Sequence, residues 1–387
     1  MKIYGYIDPE YRDSLWFSQS YRAICEESAK KKYTVTLLEG DMIYNTDIDE
    51  LFEGEKKRVL LVLTTSLEHS EKLGEFFYKH NVHMLLVNHL NPYIGANCSA
   101  VMVDYTDGMR RLTEYLAACG KKSIALYGIN RKSSTDMIKH DFFKNLKQMD
   151  PDSPVADIFF NKHGIDECFD YMLPSIDKYD SFICANDIVA RSLIQKLSEH
   201  GKRVPDDIYV ASFGDYLLAK MGDPPLTTVS VDHEELGRQA LFAYNYLRKS
   251  DHNVYMTAKV PATLHVRRST NDHKPEIRPS TRYIRASYGE FLDFLNDKEC
   301  ERILNVENML AACDKLDLQI ISGLLKKVPY SKMAVGLFIS ENVIFYRIKR
   351  LTKAAGVQNK EELIALINEF LSPDEISEYL GLDSMSR

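Results

Sequence analysis

The run Ser181 Phe182 Ile183 Cys184 Ala185 Asn186 Asp187, the helix-like segment from Asp187 to His200, and Gly201 Lys202 Arg203 Val204 Pro205 Asp206 Asp207 Ile208 Tyr209 Val210 Ala211 Ser212 Phe213 together decide the fold. Ser181 to Cys184 is an apolar run of strand length that stops at a polar helix start. Gly201 ends the helix and the chain turns into a second apolar run, Ile208 to Phe213. Strand, helix, strand in that order calls for a crossover between parallel strands. Pro224 Pro225 Leu226 Thr227 Thr228 Val229 then leads into an edge or crossover segment.

Working outward, the same alternation recurs. Further strand-length runs are Lys2 to Ile7, Thr34 to Leu38, Val59 to Leu63, Met84 to Val87, Ala100 to Val103 and Ser123 to Tyr127. Helical spacing lies between them, in Ser14 to Lys31, Leu67 to His80, Asp107 to Cys119 and Asp136 to Gln148. Repeated βα order predicts an α/β class with doubly wound parallel sheets. No GxGxxG or GxxxxGK[ST] follows any strand, which disfavours a dinucleotide or P-loop site.

At 387 residues the chain predicts two or three domains. The seven cysteines are scattered without CxxC spacing and the histidines form no HExxH, so reduced thiols are expected and no metal or cofactor. No nucleophile elbow or paired catalytic motif appears, so no catalytic residue is assigned and no enzyme is expected. There is no run of eighteen apolar residues, and Met1 to Asp8 opens directly as a strand, so the expectation is a cytoplasmic protein with no membrane segment.

Near the far end, Met333 Ala334 Val335 Gly336 Leu337 Phe338 Ile339 Ser340 Glu341 Asn342 Val343 Ile344 Phe345 Tyr346 Arg347 Ile348 reads as two short helices around a tight turn. Leu337 and Ile339 are expected to close the first helix and Ser340 to cap the second. Ile344, Ile348 and Leu351 recur at i, i+4 and i+7 as one apolar stripe, and Gly356 ends the helix. Arg347, Lys349, Arg350 and Lys353 against Glu341 leave residues 340–353 at 4 − 1 = +3 in a chain of net charge −7. Such a helix is a candidate phosphate reader; its bland role is to complement the helix dipole and keep a small bundle soluble.

The stretch Ser181 to Val229, with Val103 Asp104 Tyr105 Thr106 Asp107 Gly108 and Gly120 Lys121 Lys122 Ser123 Ile124 Ala125, resembles the effector-binding domain of the LacI/GalR repressors and, through it, periplasmic sugar-binding proteins. The resemblance covers residues 1–268. It implies a two-lobed periplasmic-binding-protein-like fold, with lobe one at 1–120 and 228–250 and lobe two at 121–227 and 251–268. The first strand begins at residue 2, so the family's N-terminal helix-turn-helix is not expected ahead of it. Residues 269–286 are polar with two prolines and read as a linker, 287–315 as connecting helices and 316–387 as a small all-α helix-turn-helix domain.

The resemblance also implies an interlobe cleft at the carboxyl ends of the strands. Asn186 matches a ligand-contacting Asn of the family, besides its plain role as a helix cap. Lys139 stands where the family usually has an Arg, keeping charge and losing the bidentate fork. Asp215 follows Gly214, where an acid that reaches ligand is usual, and Asp107 matches a position that faces the cleft in some members. From the residues alone, Trp16 and Phe17 after the first strand offer rings for stacking or for core packing, with Tyr11 a weaker candidate.

Residues 316–370 are similar to the C-terminal helix-turn-helix of LuxR-type regulators, at Ala334, Leu337, Ile339, Ser340, Glu341, Ile344, Ile348, Gly356 and Val357. Tyr346 to Leu351 is equally similar to the PucR type. Either implies DNA as partner, with Ser340, Asn342, Phe345, Tyr346, Arg347, Lys349, Arg350 and Lys353 at the interface; Phe345 departs from the usual Lys or Arg. The expectation is a homodimeric regulator that binds a small-molecule effector, a sugar or related metabolite, and DNA. The alternative is an intracellular sugar sensor whose helical end binds a protein.

Overall fold

A computed structural model of the chain describes residues 2–91, 94, 97–250, 254–272, 275 and 297–380. It divides into two units, Met1–Ser287 and Tyr288–Arg387.

The first unit holds two six-stranded sheets. In chain order the strands are β1 (Lys2–Ile7), β2 (Thr34–Glu39), β3 (Val59–Leu63), β4 (His83–Val87), β5 (Cys98–Val103), β6 (Ile124–Ile129), β7 (Val155–Phe160), β8 (Ser181–Cys184), β9 (Tyr209–Gly214), β10 (Thr227–Ser230), β11 (Thr257–Val260) and β12 (Thr263–His265). One sheet runs β11-β5-β4-β3-β1-β2 and the other β12-β10-β9-β8-β6-β7. Every pairing is parallel except β10 with β12. The deciding pair falls as read, with Ser181 opposite Tyr209 and Phe182 opposite Val210. Because helices cover both faces, central strands such as Val59–Leu63 are buried at every position and read as unbroken apolar runs.

The lobe boundaries move. The helix Tyr105–Ala118, expected in lobe one, packs on the second sheet: Gly108 abuts Phe213 and Val229, and the Tyr115 hydroxyl meets Thr270 Oγ1 at 2.7 Å. The chain therefore crosses at Asp104 and not at 120/121. It crosses back between β10 and the helix His233–Lys249, which lies on the helix Leu15–Lys30 so closely that a Cβ at Gly237 would stand 2.2 Å from the Ser20 carbonyl. Thr228–Ser230 thus belongs to lobe two. Thr257–Val260 belongs to lobe one, and the third crossing lies between β11 and β12. Of the expected linker, Ser269 and Thr270 are buried in lobe two, with Ser269 Oγ donating to Val210 O at 2.6 Å; most of 273–286 lies outside the described residues.

The second unit has helices Lys298–Ala311, Lys315–Leu325, Tyr330–Gly336, Glu341–Ala354, Lys360–Asn368 and Pro373–Tyr379 among its described residues. Val306 and Met309 join Ile320, Ile344 and Leu363 in one core, so Lys298–Ala311 is part of this bundle and not a connector. The first part of the expected connecting helices, residues 287–296, lies outside the described residues. Leu337 is the C-cap of the first helix and the Ile339 N–H donates to Ala334 O at 3.0 Å across Phe338, whose φ is 55°, so the two close that helix as read.

Candidate functional site

Between the sheets of the first unit, at the carboxyl ends of the strands, lies a cleft of about 420 Å³. That is within the range of small-ligand sites. Tyr11, Trp16, Tyr105, Phe213 and Tyr216 supply rings. The polar lining includes Asn88, Asn130, Asn161 and Asn186, each set at or just beyond the end of a strand.

Lys139 lies on the helix Ser134–Met149 with its side chain 4% exposed. Its ammonium donates to Asp136 Oδ1 at 2.9 Å and to the Ala185 carbonyl at 2.7 Å, and it sits about 5 Å from the ring centres of Tyr105 and Phe213. The other Asp136 oxygen accepts from the Asn130 N–H at 3.0 Å. Lys139 and Asp136 thus form a neutralised pair in the cleft wall.

Asn186 caps the helix Asp187–Glu199, its Oδ1 accepting from the Ile188 and Val189 N–H groups at 3.0 Å. Its side-chain NH₂ has no partner among the described residues. Asp187 is buried beneath. It accepts from Thr228 Oγ1 and the Tyr216 N–H, each at 2.8 Å, and from Ser212 Oγ at 2.5 Å, while burial raises its pKa. These bonds tie the start of the helix after β8 to β9, to the loop that follows β9 and to β10.

Three expected contacts are placed elsewhere. Phe17 stacks on Tyr21 in the core, with ring centres 5.4 Å apart. Asp107 is held by Arg110 at 2.6 Å and Arg111 at 2.5 Å, and the helix cap is Asp104. Asp215 pairs with Arg267 at 2.6 Å and Lys220 at 3.0 Å. None of the three lines the cleft. Gly214 has φ of +135°, and a Cβ there would stand 2.9 Å from Asp187 Oδ2, so this backbone leaves no room for the acid that the resemblance implies.

The two lobes also touch beside the cleft. The Leu67 N–H donates to Lys132 O at 2.9 Å and the Ser134 N–H to Thr65 O at 2.8 Å. Below them the fully buried His89 ring bridges Ser134 Oγ and Ser70 Oγ. Burial lowers its pKa to about 3, so it bridges as neutral imidazole.

In the second unit, Ile344, Ile348 and Leu351 face the core and Asn342, Tyr346, Lys349 and Lys353 recur on the opposite, exposed stripe of Glu341–Ala354. Ser340 has the extended backbone of an N-cap but makes no side-chain cap bond. Phe345 packs edge-on against Tyr330 at 4.9 Å. Arg347 and Arg350 turn to internal partners. Arg347 Nη1 donates to Asp314 at 2.7 and 2.8 Å and to the fully buried Asp317 at 2.8 Å, and Arg350 also pairs with Asp317.

Residues 113–270 match the periplasmic binding protein-like domain family. The HTH-type transcriptional repressor PurR of Haemophilus influenzae is 26% identical over 191 residues, 48% of this chain and 56% of the repressor. The chain spans about half the length of the curated relatives it matches. Two solved structures share the fold. The lac repressor dimer bound to operator and anti-inducer aligns with a TM-score of 0.57 at 20% identity, covering 70% of this chain and 81% of that one. The LacI-family regulator CcpA of Weissella paramesenteroides, with bound glucose, aligns with a TM-score of 0.55 at 18% identity, covering 70% and 99%. The first unit is therefore similar in sequence and in fold to the periplasmic-binding-protein-like domain of LacI-type transcriptional repressors.

Proposed function

We propose that this chain is a cytoplasmic ligand-responsive transcription regulator. The first unit binds a small polar metabolite of the sugar class in its cleft, and the second binds DNA through a helix-turn-helix centred on Glu341–Ala354. The observation that carries the reading is the exposed stripe Asn342, Tyr346, Lys349, Lys353, set opposite an apolar stripe on a helix entered through a four-residue turn. Lys349 and Lys353 are the phosphate contacts and Asn342 and Tyr346 lie nearer base edges. Arg347 and Arg350 are first of all anchors to Asp317, which sets this helix in the bundle, while the exposed part of Arg350 remains within reach of a phosphate. Stacking rings and a set of asparagine amides suit a hydroxylated ligand, and one structural relative was solved with glucose.

The protein acts as a homodimer. Ile188, Leu217, Leu218 and Met221 form an exposed apolar patch, 59–80% accessible, around the short helix Leu217–Met221. Ligand that prefers one lobe arrangement changes the dimer and so the spacing of its DNA modules. No catalytic step is required. The test is a mobility-shift assay with the DNA upstream of the protein's own gene, over a salt series and with added sugars. Lys349→Ala is expected to reduce the slope of log affinity against log salt by about one unit. No shift at any salt concentration would refute the DNA assignment.

A further inference from the structure

The amino edge of the first sheet lies at the end opposite the cleft. Because the pairings there are parallel, each helix that precedes a strand of this sheet finishes at that edge: Leu15–Lys30 runs into β2, Leu67–Lys79 into β4 and His233–Lys249 towards β11. The sequence loads the edge with cations. Lys30, Lys31 and Lys32 stand before β2, and Lys56, Lys57 and Arg58 before β3. Lys79 precedes β4, Arg248 and Lys249 end the helix that leads to β11, and Lys2 opens β1. Glu27, which pairs with Lys30, and the five acids of residues 47–58 oppose them, so the edge carries 10 − 6 = +4 among the described residues, in a chain of net charge −7.

Lys30, Lys79, Arg248 and Lys249 lie in the last turns of their helices and complement the dipoles. Lys2, Lys56, Lys57 and Arg58 have no such duty. The two arginines are committed inward: Arg58 Nη1 donates to Asp49 Oδ1 at 2.6 Å and to His80 O at 3.1 Å, and Arg248 pairs with Glu55. Lys57 Nζ donates to Ser250 O at 3.1 Å. These bonds fix the turns that carry the outer charges. Lys2, Lys31, Lys32, Lys79 and Lys249 are exposed and have no partner among the described residues. From β3 to β11 the edge is recessed into a cavity of about 250 Å³, lined in part by Lys56, Lys57, Asn81 and Asn97, all of which carry N–H donors.

Six strands about 4.8 Å apart make an edge of about 24 Å. That length of duplex carries about fourteen phosphates. A protein partner calls for aromatic residues and arginine at the contact and few lysines, whereas the exposed cations here are lysines throughout. Resting on the DNA reading of the second unit, we propose that the amino edge of the first sheet is a further DNA contact, which takes the phosphate backbone of a duplex without reading its sequence. Lys2, Lys31, Lys32, Lys79 and Lys249 meet phosphates and release counterions. The edge supplies affinity, and sequence selection stays with Glu341–Ala354.

The test is fluorescence anisotropy on the full chain, over a salt series, with a labelled duplex from upstream of the protein's own gene and an unrelated duplex of equal length. The edge variant carries Lys31→Gln, Lys79→Gln and Lys249→Gln together. A control carries Lys144→Gln, Lys147→Gln and Lys162→Gln, which remove the same charge from exposed positions in lobe two. The edge variant is expected to reduce the slope of log affinity against log salt by about two units or more, and to weaken binding to both duplexes by the same factor, about ten-fold or more at physiological salt. The control should keep the native slope, and Arg at the three edge positions should restore it. A native slope in the edge variant overturns the contact and leaves the DNA reading standing. An equal loss in the edge variant and the control does the same, by tracing the effect to net charge alone, as does an equal loss with Gln and with Arg, by tracing it to structure. No binding of either duplex by the native chain at any salt concentration overturns the DNA reading and the edge contact with it.

Discussion

Replacing Arg347 by Ala should destabilise the second unit far more than replacing Lys349, its neighbour two residues on. Asp317 is fully buried, and Arg347 supplies the donor to its Oδ1 at 2.8 Å; Arg350 and the Asp314 N–H, at 3.0 Å, hold Oδ2. The side chain of Asp314 is 54% exposed, so its own pair with Arg347 contributes at most about 1 kcal/mol. Removing one charged donor from a buried carboxylate that keeps two others costs about 2–3 kcal/mol, below the penalty for a fully orphaned charge. For a domain of this size that is about 8–20 °C in melting temperature. Lys349 is exposed and should shift it little. There is a pH signature as well. Arg347 holds Asp314 down to about 2 from its ordinary 3.8. A carboxylate depressed on folding stabilises above its unfolded value, and that stabilisation is lost as pH falls from about 4 towards 2. Arg347→Ala should flatten this part of the stability curve. Differential scanning calorimetry of the full chain, followed through the transition of the second unit, checks both effects. Equal melting temperatures for Arg347→Ala and Lys349→Ala would refute the anchoring role.

The first unit should be acid-labile well above carboxylate pH. His83, His89 and His233 are buried, with pKa values lowered to about 4, about 3 and about 4 from an ordinary 6.5. Depressed values mean that stability is present above pH 6.5 and falls as the unfolded state takes up protons; at pH 5.5 each histidine costs about 1.4 kcal/mol, together about 4. Calorimetry at pH 7.5 and 5.5 should show a drop of roughly 8 °C in that transition, and a flat profile would refute the assignment of all three as neutral. Gly214→Ala should lower the same transition by about 1–3 kcal/mol, because φ of +135° and the nearby Asp187 carboxylate both oppose a Cβ; a melting temperature equal to native would show that the backbone relaxes.

The strands that could be read from sequence are those buried on both faces. Val59–Leu63 and Ser181–Cys184 are unbroken apolar runs because nothing on either side of them meets water. The strands not read stand mostly at sheet edges. Val155–Phe160 carries Asp157, whose carboxylate accepts from the Tyr179 hydroxyl, and Thr257–Val260 carries an exposed Lys259. Asn88, Asn130 and Asn161 each directly follow the last residue of a strand, where open α/β sheets place ligands, but only the strand before Asn88 ends in the sequence where it ends in the fold; Ile124–Ile129 runs two residues past the expected Tyr127, and Val155–Phe160 is among those not read. The acids were illegible for a different reason. Whether a carboxylate is free depends on which cation reaches it, and Asp215 is held by Arg267 fifty-two residues away, as Asp317 is by Arg347 thirty away. No local pattern carries that pairing.

The contacts beside the cleft bear on how a ligand could act. Among the described residues, besides the three crossings at Asp104, after β10 and after β11, the lobes are joined by two backbone hydrogen bonds, by the Ser134–His89–Ser70 chain and by the Tyr105 hydroxyl, which donates to Asn88 Oδ1 at 3.1 Å. At about 0.5–1.5 kcal/mol for each of the four bonds that pass between lobes, these contribute about 2–6 kcal/mol to the arrangement in which the lobes meet. Thr65 and Ser133, from the two loops that make the backbone bonds, also line the cleft, as do Asn88 and Asn130 on neighbouring turns. A ligand bound there works on the same loops that already hold the lobes together. Moving such an equilibrium from 1:99 to 99:1 takes a difference in binding of about 5.5 kcal/mol between the two arrangements. The contacts already present are counted in the starting ratio, so the ligand itself must supply that whole difference, which takes several hydrogen bonds made across the cleft.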